Sequence, residues 1–139
     1  MRRPLQAREE RNGAQVVTSP FRGQIAAITV PLVPPTVNHY VKHTRRGRHY
    51  VSGEAISFKE AVRLFSKRQQ VRGAQYKVEV WVHLGKGQKG DIDNFAKVVL
   101  DGLKDAGVID SDAKIANLHL YKRRSADRPR TEIMVEAIE

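Results

Sequence analysis

Four side chains in one stretch of the sequence could act on a phosphate group. Asp91 and Asp93 are separated by a single residue, Lys97 follows one helical turn after Asp93, and Asp112 comes later in the same stretch. Mg²⁺ and Mn²⁺ are commonly held by a few carboxylates together with water and substrate phosphate. An ammonium group beside a bound phosphate can neutralise charge that develops as the phosphate reacts. We therefore interpret the three aspartates as candidate metal ligands and Lys97 as a candidate catalytic amine.

Local spacing also leaves a structural alternative open for these residues. Aspartate is a favoured N-cap residue, so Asp91 or Asp93 could simply begin a helix. Lys97 lies four residues from both Asp93 and Asp101. A ladder of this kind on a helix surface contributes only about a few tenths of a kcal/mol per pair. The spacing alone does not choose between the catalytic and the structural interpretation.

The charge of the whole chain favours a polyanionic partner. Its 139 residues contain 25 Lys and Arg against 15 Asp and Glu, which gives a formal net charge of +10. A basic chain attracts phosphate backbones without sequence preference, so nucleic acid is the expected partner. Against this basic background, the concentration of aspartates between positions 91 and 112 indicates a site that holds a cation beside a polyanion.

Composition excludes several other classes of site. The chain has no cysteine, which excludes disulfides, thiolate zinc sites and cysteine nucleophiles. His39, His43 and His49 are spaced irregularly in an expected loop, so we predict no zinc site there either. We see neither an apolar run of the roughly 20 residues that a membrane helix needs nor a signal peptide. We expect a cytoplasmic protein with no membrane partner.

The first half of the chain predicts an arm, a strand and a helix. Residues 1–24 lack sustained periodicity and are expected to form a mobile basic arm, with a single domain over 25–139. Alternating apolar residues after Ile25 predict a first strand that prolines end. Ser52 can cap a helix that runs to about Gln70, with Phe65 on its buried side.

The second half predicts the elements that position the aspartates. Tyr76–Leu84 alternate as a strand, a helix follows Asp91 and Asp93 and ends near Ala106 at Gly107, and residues 115–121 and 131–138 predict two more strands. The fold class is α+β, a mixed sheet of about four to five strands with two main helices on one face. We expect the Ile92 side chain to turn inward, toward the core. We also expect Asp112 to return to the rim that carries Asp91, meaning the end of the sheet at which the strand Tyr76–Leu84 ends.

Basic side chains cluster in loops and on the first helix. The segment from Asn38 to Val51 contains four Lys and Arg, aromatic residues and no acid, which suits phosphate contact and base stacking, although a solvated hairpin with a charged rim has the same composition. The predicted DNA-binding residues are Lys42, Arg45, Arg46, Arg48, Arg63, Lys67, Arg68, Lys86, Lys89, Lys122, Arg123 and Arg124.

The run GDIDNFAKVVLDGLKDAGVIDSDAKI resembles the signature of RusA-type Holliday junction resolvases. That signature has the form D-x-D-N-x-x-K, followed by D-x-L within a helix and by a terminal aspartate. Upstream, VPPTVNHYVKHTRRGRHYVSGEAISFKEAV resembles the opening of the same family. The resemblance covers residues 25 to about 138. One departure is Ser111, which replaces the first of the paired aspartates usual at the end of the motif, with Asp110 one residue earlier.

The resemblance implies roles for individual positions. Asp91, Asp93 and Asp112 match the metal-binding carboxylates of the family, and Lys97 matches its catalytic lysine. The supporting positions that we carry over are Asn38, Asn94, Asp101 and Asp110.

The resemblance also implies an activity. It describes a homodimeric, Mg²⁺-dependent endonuclease, with Mn²⁺ as a substitute, that cuts opposed strands of a four-way or branched DNA and leaves 5′-phosphate and 3′-hydroxyl ends. Such proteins are often carried by phages or prophages. Two rivals remain at this point: a non-catalytic junction-binding protein whose aspartates are structural, and a flap or branch nuclease that does not resolve junctions.

Overall fold

The structure, a computed structural model, describes residues 24–36, 41–43, 49–124 and 126–139, with the backbone alone at 41–43 and 49–51. The predicted arm therefore lies almost wholly outside the described residues. The elements are β1 (Ile25–Val30), β2 (Val41–His43), β3 (His49–Val51), α1 (Gly53–Phe65), β4 (Gln75–His83), α2 (Ala96–Asp105), β5 (Ile115–Arg123) and β6 (Arg130–Ile138), with short 3₁₀ turns at Ile92–Phe95 and Asp112–Lys114.

Four of the strands form one mixed sheet in the order β1-β6-β4-β5. β6 runs antiparallel to both β1 and β4, whereas β5 runs parallel to β4. β2 and β3 form a separate two-stranded hairpin. The α+β class, the mixed sheet and the two main helices confirm the fold predicted from the sequence.

The hydrophobic core lies between one face of the sheet and the two helices. Alternate residues of β4, from Tyr76 to Val82, are buried, and they share that face with Ile28 of β1 and Ile133 of β6. A strand with one buried face shows this period of two. The helices contribute the apolar residues predicted from their spacing, which are Ala55, Phe58 and Val62 of α1 and Val98, Val99 and Leu103 of α2.

The first helix begins where the sequence predicted but ends early. The hydroxyl of Ser52 accepts a hydrogen bond from the Ala55 backbone N–H at 3.2 Å, which confirms the cap. The helix stops at Phe65, not near Gln70, because Lys67 and Arg68 adopt left-handed backbone conformations. Phe65 is 36% exposed, so its predicted burial is wrong: it lies at the helix end, beyond the packed face.

The second helix connects two parallel strands. α2 is preceded by the turn Ile92–Phe95 and followed by Gly107, whose φ of 78° supplies the predicted left-handed stop. A connection between two neighbouring parallel strands must return the chain to the end of the sheet at which the first strand began. No helix within the described residues combines the length and apolar character needed to span a bilayer.

Candidate active site

Asp91 and Asp93 lie on the connection that leaves the C-terminal end of β4. Asp91 has an extended backbone (φ −81°, ψ 145°) and occupies the N-cap position of the turn Ile92–Phe95, but its side chain makes no capping hydrogen bond. Its backbone carbonyl instead accepts a hydrogen bond from the Asn94 N–H at 3.0 Å. The capping alternative is therefore not realised by the Asp91 carboxylate, which is exposed to solvent.

The residue before Asp91 is fixed from two sides. The Lys122 ammonium of β5 donates a hydrogen bond to the Gly90 carbonyl at 3.0 Å. Gly90 has φ 153°, and a side chain there would collide with the ring of buried Phe95. Ile92 is 39% exposed, so the prediction that it turns inward is wrong. Phe95 is the anchor, because its ring packs in the core directly beneath Gly90.

The three motif aspartates differ from the other acidic residues of their stretch. Asp91, Asp93 and Asp112 are exposed and form no side-chain hydrogen bond or ion pair with any described residue. By contrast, Asp105 pairs with Lys59 at 3.0 Å, and Asp101 pairs with Lys97. The carboxylates that match the motif are thus those left available to an external cation.

Lys97 is held by the acidic residue that follows it. Its Nζ lies 3.3 Å from Asp101 Oδ2, while its side chain remains 62% exposed. Of the predicted ladder, the structure therefore contains the Lys97–Asp101 pair, one turn away from Asp93. Asp101 keeps the ammonium on the exposed surface of α2 near the start of the helix.

Asp112 lies at the opposite end of the paired strands β4 and β5 from Asp91. It belongs to the turn Asp112–Lys114, directly before β5, and the first residue of β5 pairs with Tyr76 near the start of β4. The pairing of β4 with β5 continues to His83 and Arg123, so the two ends of this strand pair are about 23 Å apart. The expectation that Asp112 returns to the rim of Asp91 is wrong, because the parallel crossover brings the chain back to the end of the sheet at which β4 began.

Asp110 has a structural role beside Asp112. The Tyr76 hydroxyl donates to Asp110 Oδ1 at 2.6 Å, and the Lys114 ammonium donates to Oδ2 at 2.9 Å. The Tyr76 hydrogen bond, with help from Lys114, lowers the pKa of Asp110 from 3.8 to about 2. Burial, followed by the hydrogen bond to Asp110, raises the pKa of Tyr76. These contacts fasten the turn that presents Asp112 to the start of β4.

The donor chemistry of these carboxylates suits a hard divalent cation. Within the described residues, no three or more acidic or histidine side chains converge where they could hold one ion. Asp91 and Asp93 remain as an exposed pair, and Mg²⁺ is often bound through one or two carboxylates plus substrate phosphate. The chemistry of the pair fits such an ion, whereas the expected trio does not assemble among the described residues.

Basic residues lie around the same end of β4. Lys86 and Lys89 are exposed on the loop between β4 and Asp91. Arg123 and Arg124 line an open depression together with Arg128 and Arg130. The predicted DNA-binding residues include Arg123 and Arg124 but not Arg128 and Arg130. The basic composition of the stretch 122–130 was the signal that could have included them.

Other predicted DNA-binding residues are placed differently. Arg63 is exposed and pairs with Glu60 on α1, and Lys67 and Arg68 lie in the turn after that helix. Lys122 is partly buried because its ammonium reaches Gly90. Of Lys42 the structure describes the backbone alone, and the predicted residues outside the described part are Asn38, Arg45, Arg46 and Arg48.

Comparisons with known proteins converge on one family. The family model of endodeoxyribonuclease RusA matches residues 31–136. The chain is 28% identical over 112 residues to the crossover junction endodeoxyribonuclease RusA of Escherichia coli K12, covering 78% of this chain and 92% of that protein. It is 27% identical over 112 residues to the protein of that name from Shigella sonnei, with the same coverage. It is 27% identical over 111 residues to that of Enterobacteria phage 82, covering 78% and 91%. The matched region contains the elements from β2 to β5, most of β6 and both segments that carry the aspartates. The chain belongs to the RusA endodeoxyribonuclease family.

Proposed function

We propose that this protein is a divalent-metal-dependent endodeoxyribonuclease that resolves four-way DNA junctions by paired nicks. The observation that carries the proposal is the state of Asp91, Asp93 and Asp112. These carboxylates are exposed and unpaired within the described residues of a chain whose net charge is +10. Unpaired carboxylates on a basic protein suit a cation that is shared with a DNA phosphate.

Asp91 and Asp93 provide the first two oxygen ligands at the C-terminal end of β4. The anchoring of Gly90 by Lys122 and by the Phe95 ring fixes the backbone directly before this pair. When bound, Mg²⁺ or Mn²⁺ would supply Lewis-acid activation of water and of the scissile phosphate. The backbone fixed in this way presents both carboxylates to the same DNA strand.

Lys97 provides a positive charge at the start of α2. Its pairing with Asp101 restrains the long side chain on the exposed surface, while its remaining N–H donors stay available. A lysine in this position can neutralise negative charge that accumulates on the phosphate or on the leaving oxygen. Asp101 is then a positioning residue for Lys97.

The basic residues near this rim contact the DNA backbone away from the reacting phosphate. Lys86, Lys89, Arg123 and Arg124 are exposed, and contacts of this kind position a nucleic acid without reading its sequence. The substrate we assign is a four-way junction, and the active form we assign is a homodimer. A two-fold symmetric protein places one active site on each of two opposed strands.

Cleavage of three matched substrates tests the proposal. A mobile four-way junction, a flap and a plain duplex are labelled on each strand in turn and incubated with Mg²⁺ or with chelator. We expect symmetric paired nicks on the junction only, dependent on the metal, with ends that ligase can seal. Faster cleavage of the flap than of the junction would favour a branch nuclease. Tight junction binding with no incision in Mg²⁺ or Mn²⁺ would favour a non-catalytic junction-binding protein.

A further inference from the structure

The outer face of the sheet, which is the face away from the helices, carries an aromatic pair. Alternate residues of β4 are buried beneath the helices, so Trp81 lies on the outer face. Its ring stacks on that of Tyr121 of β5, with the ring centroids 5.3 Å apart, and the Arg123 guanidinium lies 5.7 Å from the Tyr121 centroid. Other side chains of this face are exposed, among them Ile25 at 54% and Met134 at 37%. Aromatic side chains on the open face of a four-stranded sheet stack on unpaired bases in one widespread class of nucleic-acid-binding domain.

A pocket adjoins Trp81 on the side away from Tyr121. Its volume is about 250 Å³, and its lining comes from β1, β6 and β4. The lining combines the small residues Ala27 and Thr29 with the larger Trp81 and Met134. Clefts that hold drug-sized ligands measure roughly 300–1,000 Å³. A pocket below that range suits one planar ring system, such as a single base.

A depression rich in arginine lies next to this pocket, and Thr29 lines both. The arginine depression is lined by Arg123, Arg124, Arg128 and Arg130, together with His83 and the acidic Asp127. On β6 and β4, the pair Arg130 and His83 lies two residues beyond the pair Glu132 and Trp81, a distance of about 7 Å along the strands. A pocket for a planar ring with cations at this distance suits one nucleotide, whose base and phosphate are separated on the same scale.

Arg130 is held in place by contacts that leave part of its guanidinium available. Its Nε donates to Glu132 Oε2 at 2.9 Å, and its Nη1 donates to the Arg128 carbonyl at 3.0 Å. His83 Nε2 lies 3.2 Å from the other oxygen of Glu132, so the protein itself balances the charge of this carboxylate. The Nη2 group of Arg130 remains directed to no described partner. A guanidinium fixed in this way is suited to phosphate oxygens.

The arginine depression lies at the end of the sheet that leads to Asp91. His83 is the last residue of β4, and Arg123 is the last residue of β5. Lys122 precedes Arg123 and therefore lies on the helix-bearing face, where it holds Gly90. A DNA strand that passes Asp91 on the helix side can therefore continue around the end of the sheet onto the outer face.

We propose that the outer face binds an unpaired nucleotide of branched DNA, with its base in the pocket beside Trp81 and its phosphate on the arginine depression. This rests on the nuclease function proposed above and extends it, because a site for an unpaired base distinguishes a branch point from an intact duplex. In a duplex each base is paired and stacked, so only phosphates can reach this face. Stacking on an aromatic residue tolerates any base, which fits recognition of DNA structure without a sequence preference.

The fluorescence of Trp81 tests the base contact directly, because the chain contains one tryptophan. The full chain in chelator is titrated with a short deoxythymidine strand, with an abasic strand of the same length and with a duplex of that length. We expect saturable quenching by the first strand and little by the other two. Equal quenching by the abasic strand would reduce the contact to backbone charge and overturn the proposal. Unchanged fluorescence with every DNA would also overturn it and would point to a protein partner for this face.

Two substitutions change the pocket from different sides. Trp81→Ala removes the stacking partner and should weaken single-strand binding by between about 5-fold and about 140-fold, measured by anisotropy of a labelled strand. Ala27→Leu leaves Trp81 in place but fills the pocket from β1, so it tests the same contact if Trp81→Ala fails to fold. Ile25→Leu changes the same face of β1 outside the pocket and should bind as wild type does. Wild-type affinity in Ala27→Leu would contradict the proposal.

Salt dependence separates the phosphate contact from the base contact. Arg128→Gln should reduce the slope of log K against log salt for the single strand by about 0.7, the loss of one phosphate contact. Ala27→Leu should lower the affinity with the slope unchanged. Lys104→Gln on α2, which packs on the other face, should change neither quantity. An unchanged slope in Arg128→Gln would overturn the placement of the phosphate on the arginine depression.

Binding in chelator distinguishes failure of this inference from failure of the proposed function. If single-stranded DNA quenches Trp81 but wild type cuts no substrate with Mg²⁺ or Mn²⁺, the nuclease function fails. If wild type cuts the junction while single-stranded DNA leaves Trp81 unaffected, the nucleotide site fails alone. Where wild type both binds and cuts, Ala27→Leu should reduce the preference for a junction over a duplex in competition binding, and an unchanged preference would contradict the role at a branch point.

Discussion

The Lys122 ammonium of β5 donates a hydrogen bond to the Gly90 carbonyl at 3.0 Å, and so ties the backbone before Asp91 to the neighbouring strand. This contact gives a basic residue that was predicted to bind DNA a positioning role. It also explains how a loop rich in glycine and lysine can present a carboxylate at a defined place, because a charge-assisted hydrogen bond restrains it.

Replacement of Lys122 by methionine tests this positioning role. Lys122→Met keeps the apolar stem but removes the donor, so we expect a loss of about 1–2 kcal/mol in the free energy of unfolding. Incision should fall about tenfold if the lost contact costs roughly 1.4 kcal/mol of transition-state positioning. The salt dependence of DNA binding should stay unchanged, since the lysine is not proposed to contact a phosphate.

Arg123→Gln is the matched comparison for this measurement. The arginine is exposed at the end of the same strand, and the loss of one phosphate contact should reduce the slope of log K against log salt by about 0.9. A reduction of the same size in Lys122→Met would show that Lys122 contacts DNA and would contradict its assignment to the loop.

Gly90 should not tolerate a side chain. A Cβ at this position collides with the Phe95 ring, and the backbone φ of 153° is one that other residues rarely adopt. We expect Gly90→Ala to lower the free energy of unfolding by about 1–3 kcal/mol, the usual cost of overpacking. Gly53→Ala is the control because a Cβ there meets nothing within 4 Å. Urea denaturation that finds equal stability for both variants would contradict this account of the rim.

The Asp110 carboxyl should lose its low pKa when its main partner is removed. The Tyr76 hydrogen bond and, secondarily, Lys114 lower this pKa from 3.8 to about 2. Because the folded-state pKa is the lower one, the interaction stabilises the fold above pH 3.8, and its contribution is lost as the pH falls through about 2. Tyr76→Phe should therefore raise the Asp110 pKa toward its ordinary value, as measured by carboxyl carbon NMR titration.

Tyr121→Phe provides the control for that titration. Tyr121 stacks on Trp81 at a ring-centroid distance of 5.3 Å, on the sheet face opposite Tyr76. Its replacement should leave the Asp110 titration unchanged. A shift of equal size in both variants would mean that the Tyr76 hydroxyl is not the cause of the low pKa.

Local patterns in the sequence predicted the elements well because those elements depend on neighbouring residues. Alternation from Tyr76 to Leu84 predicted β4, and the caps at Ser52 and Gly107 were confirmed. The end of α1 was predicted wrongly, at about Gln70, whereas the helix ends at Phe65. The cause of the early end is the left-handed turn at Lys67 and Arg68, residue types that rarely adopt such a conformation and give no local signal for it.

The position of Asp112 could not be read from local patterns either. Periodicity indicates that β4 and β5 are strands, but it does not give the direction in which they pair, which depends on contacts between distant residues. A parallel pairing places Asp112 at the end of the strands opposite Asp91, whereas an antiparallel pairing would have placed both at the same end. The family motif relates the three aspartates as a set, but it carries no information about where each one lies in the fold.

The most direct test of the proposed function compares Asp93→Asn with Asp105→Asn on a labelled four-way junction. Both changes neutralise one exposed carboxylate in the same segment, but Asp105 pairs with Lys59 away from the rim. With Mg²⁺, wild type and Asp105→Asn should incise the junction at similar rates. Asp93→Asn should bind it as tightly but incise at least about 100-fold more slowly, because a lost metal ligand forfeits several kcal/mol of transition-state stabilisation. Incision by Asp93→Asn at the wild-type rate would contradict the account.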